Sequence, residues 1–223
     1  MNKTMNKTNK NLTAILQELH KAFDCLNNTF YQGELPSVII TVQTKGKTNA
    51  NGWFTPAKIW DDGTEQKHEI NITAESLKRD YIDIIRTLHH EMIHLYCHIN
   101  DIKDVSRGNT YHNARFKKAC EEHGFVYNEN SYDKKYGWSF AALSEETIET
   151  ICAFDVDADV FKLYRAETMV GDKQKKKKSN IIKWVCDCGV IVRSSKDGLK
   201  LICGECGSYF KKEGDDAADE DGQ

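Results

Sequence analysis

Apolar residues recur at intervals of three and four over Leu12, Ile15, Leu16, Leu19, Ala22, Phe23 and Leu26, one face of an amphipathic helix running to about Asn28. Such a stripe needs a sheet or a second helix to lie on. Three segments rich in β-branched and aromatic residues come next: Ser37 to Gln43, Gly52 to Trp60 and His68 to Thr73. Stretches of Gly, Asn, Asp and Lys separate them, so they read as strands of a small antiparallel or mixed sheet. Pro56 inside the second places that strand at an edge or a bulge, because proline has no N–H to donate to a ladder. The helical period returns at Leu77, Tyr81, Ile84, Ile85, Leu88, Met92 and Leu95. With Thr73 as cap and Glu75 in the first turn, a long helix is expected from Thr73 to about Ile99. A loop containing Gly108 leads to a further helix, about Tyr111 to His123, stopped by Gly124. Beyond it come an irregular aromatic stretch (Asn128 to Phe140), a helix within Ser144 to Phe154, and Val160 to Glu167, readable as strand or helix.

The ends lack this periodicity. Residues 1–11, with their repeated Met-Asn-Lys-Thr, form an expected disordered tail, and residues 213–223 an acidic one. Lys173 to Lys178 mark a basic linker, 168–180, ahead of a cysteine-rich unit, 181–212. The net charge of −3 therefore averages a basic segment and an acidic one and says little about partners. No run approaches the roughly 20 apolar residues that span a bilayer, and the N-terminus lacks the apolar core of a secretory signal, so no membrane partner and a cytoplasmic location are expected. Oligomeric state is not legible.

Within the long helix, His90-Glu91-Met92-Ile93-His94 has the H-E-x-x-H spacing. Residues four apart share a helix face, so both imidazoles can reach one zinc ion, with Glu91 to the side where a water would be activated. Two helical histidines can equally be core or surface residues without a ligand, and a third ligand has to decide. His98 lies about 12 Å along the axis from His90, too far to share a tetrahedral ion, and His89 points about 100° away, toward solvent or a neighbouring strand. His112, in the first turn of the next helix, can be returned beside the pair. His123 suits a helix C-terminus, and His20 and His68 have no motif around them. Three histidines leave a fourth position on zinc open, as catalytic sites do. Zinc would then activate water and polarise a peptide carbonyl while Glu91 carries the proton to the leaving amine. Tyr96 either supports the oxyanion or is a buried aromatic of this helix.

Of eight cysteines, Cys25, Cys97, Cys120 and Cys152 are scattered and read as buried thiols. The other four form two pairs, Cys186/Cys188 and Cys203/Cys206, each followed by glycine, with strand-like sequence between. In a reducing compartment this points to a structural zinc ribbon, with a redox pair or an iron site as alternatives. Trp184, Arg193, Lys196, Lys200, Tyr209 and Phe210 interleave bases and aromatics there. With Lys175, Lys176, Lys177 and Lys178 of the linker they suit single-stranded or damaged DNA; the alternative is a ribbon that packs on protein.

The stretches INITAESL, LHHEMIHLY and GNTYHNARFKKACEEHG, with WVCDCG and LICGECG after them, resemble the SprT-like (SprT/Spartan-type) zinc metallopeptidase family. The YGWSF segment resembles its bacterial or phage-type branch. The resemblance implies a zincin-like α+β metallopeptidase domain over 12–167, with His90, His94 and His112 as ligands of a catalytic zinc, Glu91 as base, and a ribbon carrying a structural zinc. Family members often have glycine after the third histidine, where this chain has Asn113. The expected activity is a metalloendopeptidase acting on nucleic-acid-associated or crosslinked proteins. The alternative is a nucleic-acid-associated or transcription-related zinc protein without protease activity.

Overall fold

The computed structural model describes residues 11–44, 50–166 and 181–214. The expected N-terminal tail up to residue 10, the basic linker with Lys175, Lys176, Lys177 and Lys178, and the acidic tail beyond Gly214 lie outside the described residues. The chain divides into two compact units, Met1–Glu167 and Thr168–Gln223.

In the first unit, Asn11 caps α1 (Leu12–Phe30) by accepting from the Ala14 N–H, and the helix buries Ile15, Leu19, Phe23 and Leu26. Its last turn is tied to the strand entry: the Asn27 side chain donates to the Leu35 carbonyl and accepts the Leu35 N–H. These two bonds fix the path into β1 (Val38–Gln43), which pairs parallel with β3 (Gln66–Thr73); β2 (Gly52–Asp61) pairs antiparallel with β3 on its other side. The sheet is thus mixed, in the order β1-β3-β2. Central β3 is the buried strand, and the ladder of β2 slips between Thr55 and Trp60, around Pro56.

The long helix starts later than the periodicity predicts. Thr73 belongs to β3, its N–H bonded to the Asn51 carbonyl; Ser76–Lys78 make a single 3-10 turn, and α2 runs Tyr81–Ile99 behind extended Arg79 and Asp80. Sheet pairing at Thr73 leaves it no freedom to cap a helix. The next helix also starts late. Tyr111–His112 form β5, paired with β4 (Val105–Ser106), and α3 (Ala114–Glu122) begins after Asn113, whose side chain accepts from the Arg115 and Phe116 N–H groups. A short pair, β6 (Phe125–Val126) with β7 (Ala142–Leu143), precedes α4 (Glu145–Cys152), and the segment from Val160 resolves into the end of a 3-10 helix, Ala158–Lys162, followed by chain without regular structure to Ala166. One core joins the inner faces of α1, α2, α3 and the sheet. Cys97 and Cys120 lie in it, whereas Cys25 is half-buried and Cys152 exposed, against the expectation of four buried thiols.

The second unit is a small antiparallel sheet, β10-β8-β9, of β8 (Ile182–Val185), β9 (Ile191–Ser194) and β10 (Lys211–Lys212). Its core consists of Trp184, Cys186, Cys203 and Phe210. Among the described residues no helix is long and apolar enough to cross a membrane.

Candidate metal centres and cleft

One face of α2 borders a cleft of about 1060 Å³, whose lining includes Gly52, Phe54, His90, Glu91, His94 and His112. His90 and His94 stand one turn apart on the helix, and β5 brings in His112. The three rings have centroids 5.0–5.1 Å apart. All three rest on the buried ring of Phe116 from α3, at 4.9, 4.7 and 4.5 Å. His112 therefore joins the pair as the spacing predicts, but from a strand before the helix cap and not from a first helical turn.

Two of the rings are oriented by hydrogen bonds that point their Nε2 atoms inward. His94 Nδ1 lies 2.5 Å from Asp104 Oδ2, and His112 Nδ1 donates to the Tyr136 carbonyl at 3.3 Å. With both Nδ1 atoms engaged outward, the two Nε2 atoms lie 3.1 Å apart, close enough to share one cation. One atom from each of the three histidines falls within 4.8 Å of the others, and four-coordinate zinc with nitrogen at 2.0–2.1 Å holds its ligand atoms ~3.3 Å apart, so the donor set fits. At His90 and His112 protonation does not compete strongly. Burial, then the imidazoles of His94 and His112, holds His90 well below its ordinary value, and burial followed by His94 holds His112 at about 4.

Glu91 is buried beside this group. Burial pushes its carboxyl up to about 7, opposed by His94 and by the Phe54 N–H that it accepts. Gly52 makes the close approach of β2 to α2 here: a Cβ on it would meet the Asn71 carbonyl at 2.7 Å, Thr87 Cγ2 at 2.9 Å and Glu91 Cγ at 3.4 Å. A second backbone clamp holds His112. Its N–H donates to the Tyr136 carbonyl and its own carbonyl accepts the Trp138 N–H, both at 3.0 Å, with Gly137 between.

The other histidines of this region and Tyr96 fall outside the three-histidine group. The Tyr96 ring packs on Tyr31 and His123, roughly 120° round the helix from His90, so it does not reach the cleft. His89 faces a neighbouring strand and not solvent: it is fully buried among Phe30, Tyr31 and Phe125 of β6, with no hydrogen-bond partner at either ring nitrogen among the described residues. His98 stays out of the three-histidine group but lines the cleft, against Phe54 and His68. His123 donates from Nδ1 to the Ala119 carbonyl. Sequence reasoning misses Asp104, Phe116, Tyr136 and Gly137; a carboxylate in the loop between the second and third histidines is the one signal that points to Asp104.

In the second unit the four cysteine sulfurs cluster, with Cys186–Cys206, Cys186–Cys188 and Cys188–Cys203 at 3.3, 3.5 and 3.6 Å. Four thiolates at ~2.3 Å from one zinc sit ~3.8 Å apart, so this set also fits a metal, and none of the four is in a disulfide. The Ser208 backbone N–H is the largest influence holding the Cys206 thiol down, at about 6, toward the ligating form. Trp184 and Phe210 are core residues of this unit and do not face solvent, whereas Arg193, Lys196, Lys200 and Tyr209 are exposed.

The first unit is thus an α+β domain whose helix and neighbouring strand converge three histidines and a glutamate on one cleft, with a donor set suited to zinc. The SprT-like family model matches residues 19–136, more than half of the chain, and the chain belongs to the SprT-like family. No curated protein matches it.

Proposed function

We propose that the chain is a zinc-dependent metalloendopeptidase of the SprT-like family, of the bacterial or phage-type branch, acting on proteins bound or crosslinked to nucleic acid. The observation that carries this reading is the buried carboxylate of Glu91 beside three inward-facing imidazoles at the wall of an open cleft. A closed structural site needs neither the carboxylate nor the cleft.

His90, His94 and His112 would hold the catalytic zinc, which supplies Lewis acidity toward a peptide carbonyl and lowers the pKa of water. Asp104 and the Tyr136 carbonyl keep two of the imidazoles in the ligating tautomer. Glu91, raised to about 7 by burial, is poised to accept a proton from the attacking water near neutral pH and to return it to the leaving amine. Edge strand β2, with Gly52, Trp53 and Phe54 on the cleft, offers backbone groups along which an extended substrate can lie. Cys186, Cys188, Cys203 and Cys206 would hold a structural zinc. Lys175, Lys176, Lys177 and Lys178, with exposed Arg193, Lys196 and Lys200, supply positive charge for phosphates.

Glu91→Gln removes the base and keeps the ligands. Metal analysis should find its zinc content unchanged, while cleavage of a DNA-binding protein falls about 10²–10⁴-fold. A variant that cleaves at the wild-type rate refutes the assignment.

A further inference from the structure

We propose that the face formed by Arg107, Tyr111, Tyr132, Lys134, Lys135 and Tyr136 is a stacking platform for single-stranded nucleic acid at the rim of the cleft. Rings and cations alternate on it. The Arg107 guanidinium lies 4.5 Å over the Tyr111 ring and donates to the Lys134 carbonyl at 3.1 Å; Lys135 Nζ lies 4.7 Å over the Tyr136 ring. The hydroxyls of Tyr111 and Tyr132 are 3.2 Å apart, and Tyr132 is backed by Trp138 at 5.1 Å. These supports hold the rings in place although Tyr132 and Tyr136 remain 45% and 37% exposed.

The face carries three cations against one nearby acid, Asp133, whose charge acts on Lys135. Among the described residues, Arg107, Lys134 and Lys135 form no ion pair with a carboxylate. Asp133, the acid within the segment, is engaged by the N–H groups of Lys135 and Tyr136 at 2.7 and 2.8 Å. The exposed ring surface of Tyr132 and Tyr136 beside three cations matches a ligand carrying both π faces and phosphates, and a single strand presents its bases where a duplex hides them. The position has a consequence for chemistry. Tyr136 lines the cleft, and its carbonyl holds His112, so a strand lying here brings any protein attached to it to the three histidines. This deepens, and rests on, the reading that nucleic acid recruits the peptidase.

The test is fluorescence anisotropy of the full-length, zinc-loaded chain with a labelled oligo-dT and with a duplex of equal length. Tyr132→Ala should weaken single-strand binding about tenfold, and Tyr132→Phe should retain it. Lys134→Glu combined with Lys135→Glu, both at exposed positions, should flatten the slope of log affinity against log salt by about one to two. If Tyr132→Ala binds like wild type, or wild type binds duplex as tightly as single strand, the platform is wrong while recruitment through the linker and ribbon stands. A wild-type chain that binds no nucleic acid overturns both, and neither result depends on the cleavage assay.

Discussion

At Gly137 a Cβ would meet the His112 carbonyl oxygen at 2.0 Å and the Tyr111 ring at 3.1 Å, and φ is +66°. Only glycine lets the chain pass so close to the third histidine. Gly137→Ala should push away the Tyr136 carbonyl that orients His112, lowering metal affinity at the histidine site about 10–100-fold and sparing the cysteine site, as competition with a chromophoric chelator would reveal. His89 sets a pH dependence. Burial, with His123 adding to it, holds it at about 3 in the folded chain against 6.5 when free. The unfolded chain therefore binds the extra proton between those values, so stability is full above about 6.5 and falls with acid by up to about 1.4 kcal/mol per pH unit toward 3. His89→Leu should flatten that decline in urea unfolding at pH 5–7; parallel curves would show that His89 is not the sensor. At this scale, His90, Glu91 and His94 are legible because spacing alone sets their direction on a helix. Tyr96 stays open between oxyanion support and a packed aromatic because nearness in sequence hides its turn around the helix, and Gly137 acts only through a partner 25 positions away.

Among the elements, β1, β2 and β3 are legible from composition and their breaks, and Pro56 marks the irregular edge of β2. The starts of α2 and α3 are not, since apolar periodicity runs on through residues that tertiary pairing claims: Thr73 is held in the sheet and Tyr111–His112 in a two-stranded ladder. Asn113 shows the other side of this. Where the family often has glycine, it serves here as the cap of α3 and donates to the Lys103 carbonyl at 2.7 Å, bracing the β4–β5 turn that carries His112. The contact between β2 and α2 depends on Gly52. Since Asn71 contributes backbone there, Gly52→Ala cannot be absorbed by a side-chain rotation, and β2 must move off the helix. The expected cost is about 1–3 kcal/mol in thermal unfolding, with kcat reduced more than zinc content because Glu91 lies on the same contact. Unchanged kcat in a destabilised variant would separate β2 from the placement of Glu91.

For the whole molecule, the two units keep their shape by different means. The first buries a continuous core contributed by α1, α2, α3 and the sheet, most of it remote from the three histidines. The second has a buried cluster of only Trp184, Cys186, Cys203 and Phe210, two of which are themselves candidate ligands. So small a core cannot offset the conformational entropy of some thirty residues without a metal. The division is legible in the sequence because cysteine pairing and a lysine run are local features; the burial of Trp184 is not, because a ring beside a cysteine reads the same whether it faces a base or the core. Cys203→Ser should therefore lower the zinc content from two per chain to one and collapse hydrogen-exchange protection over residues 181–214, while protection of Tyr81–Ile99 stays at the wild-type level. Loss of protection in both regions would mean that the units do not fold independently. Full protection at 181–214 without the metal would mean that the cysteine cluster is not what holds the second unit together.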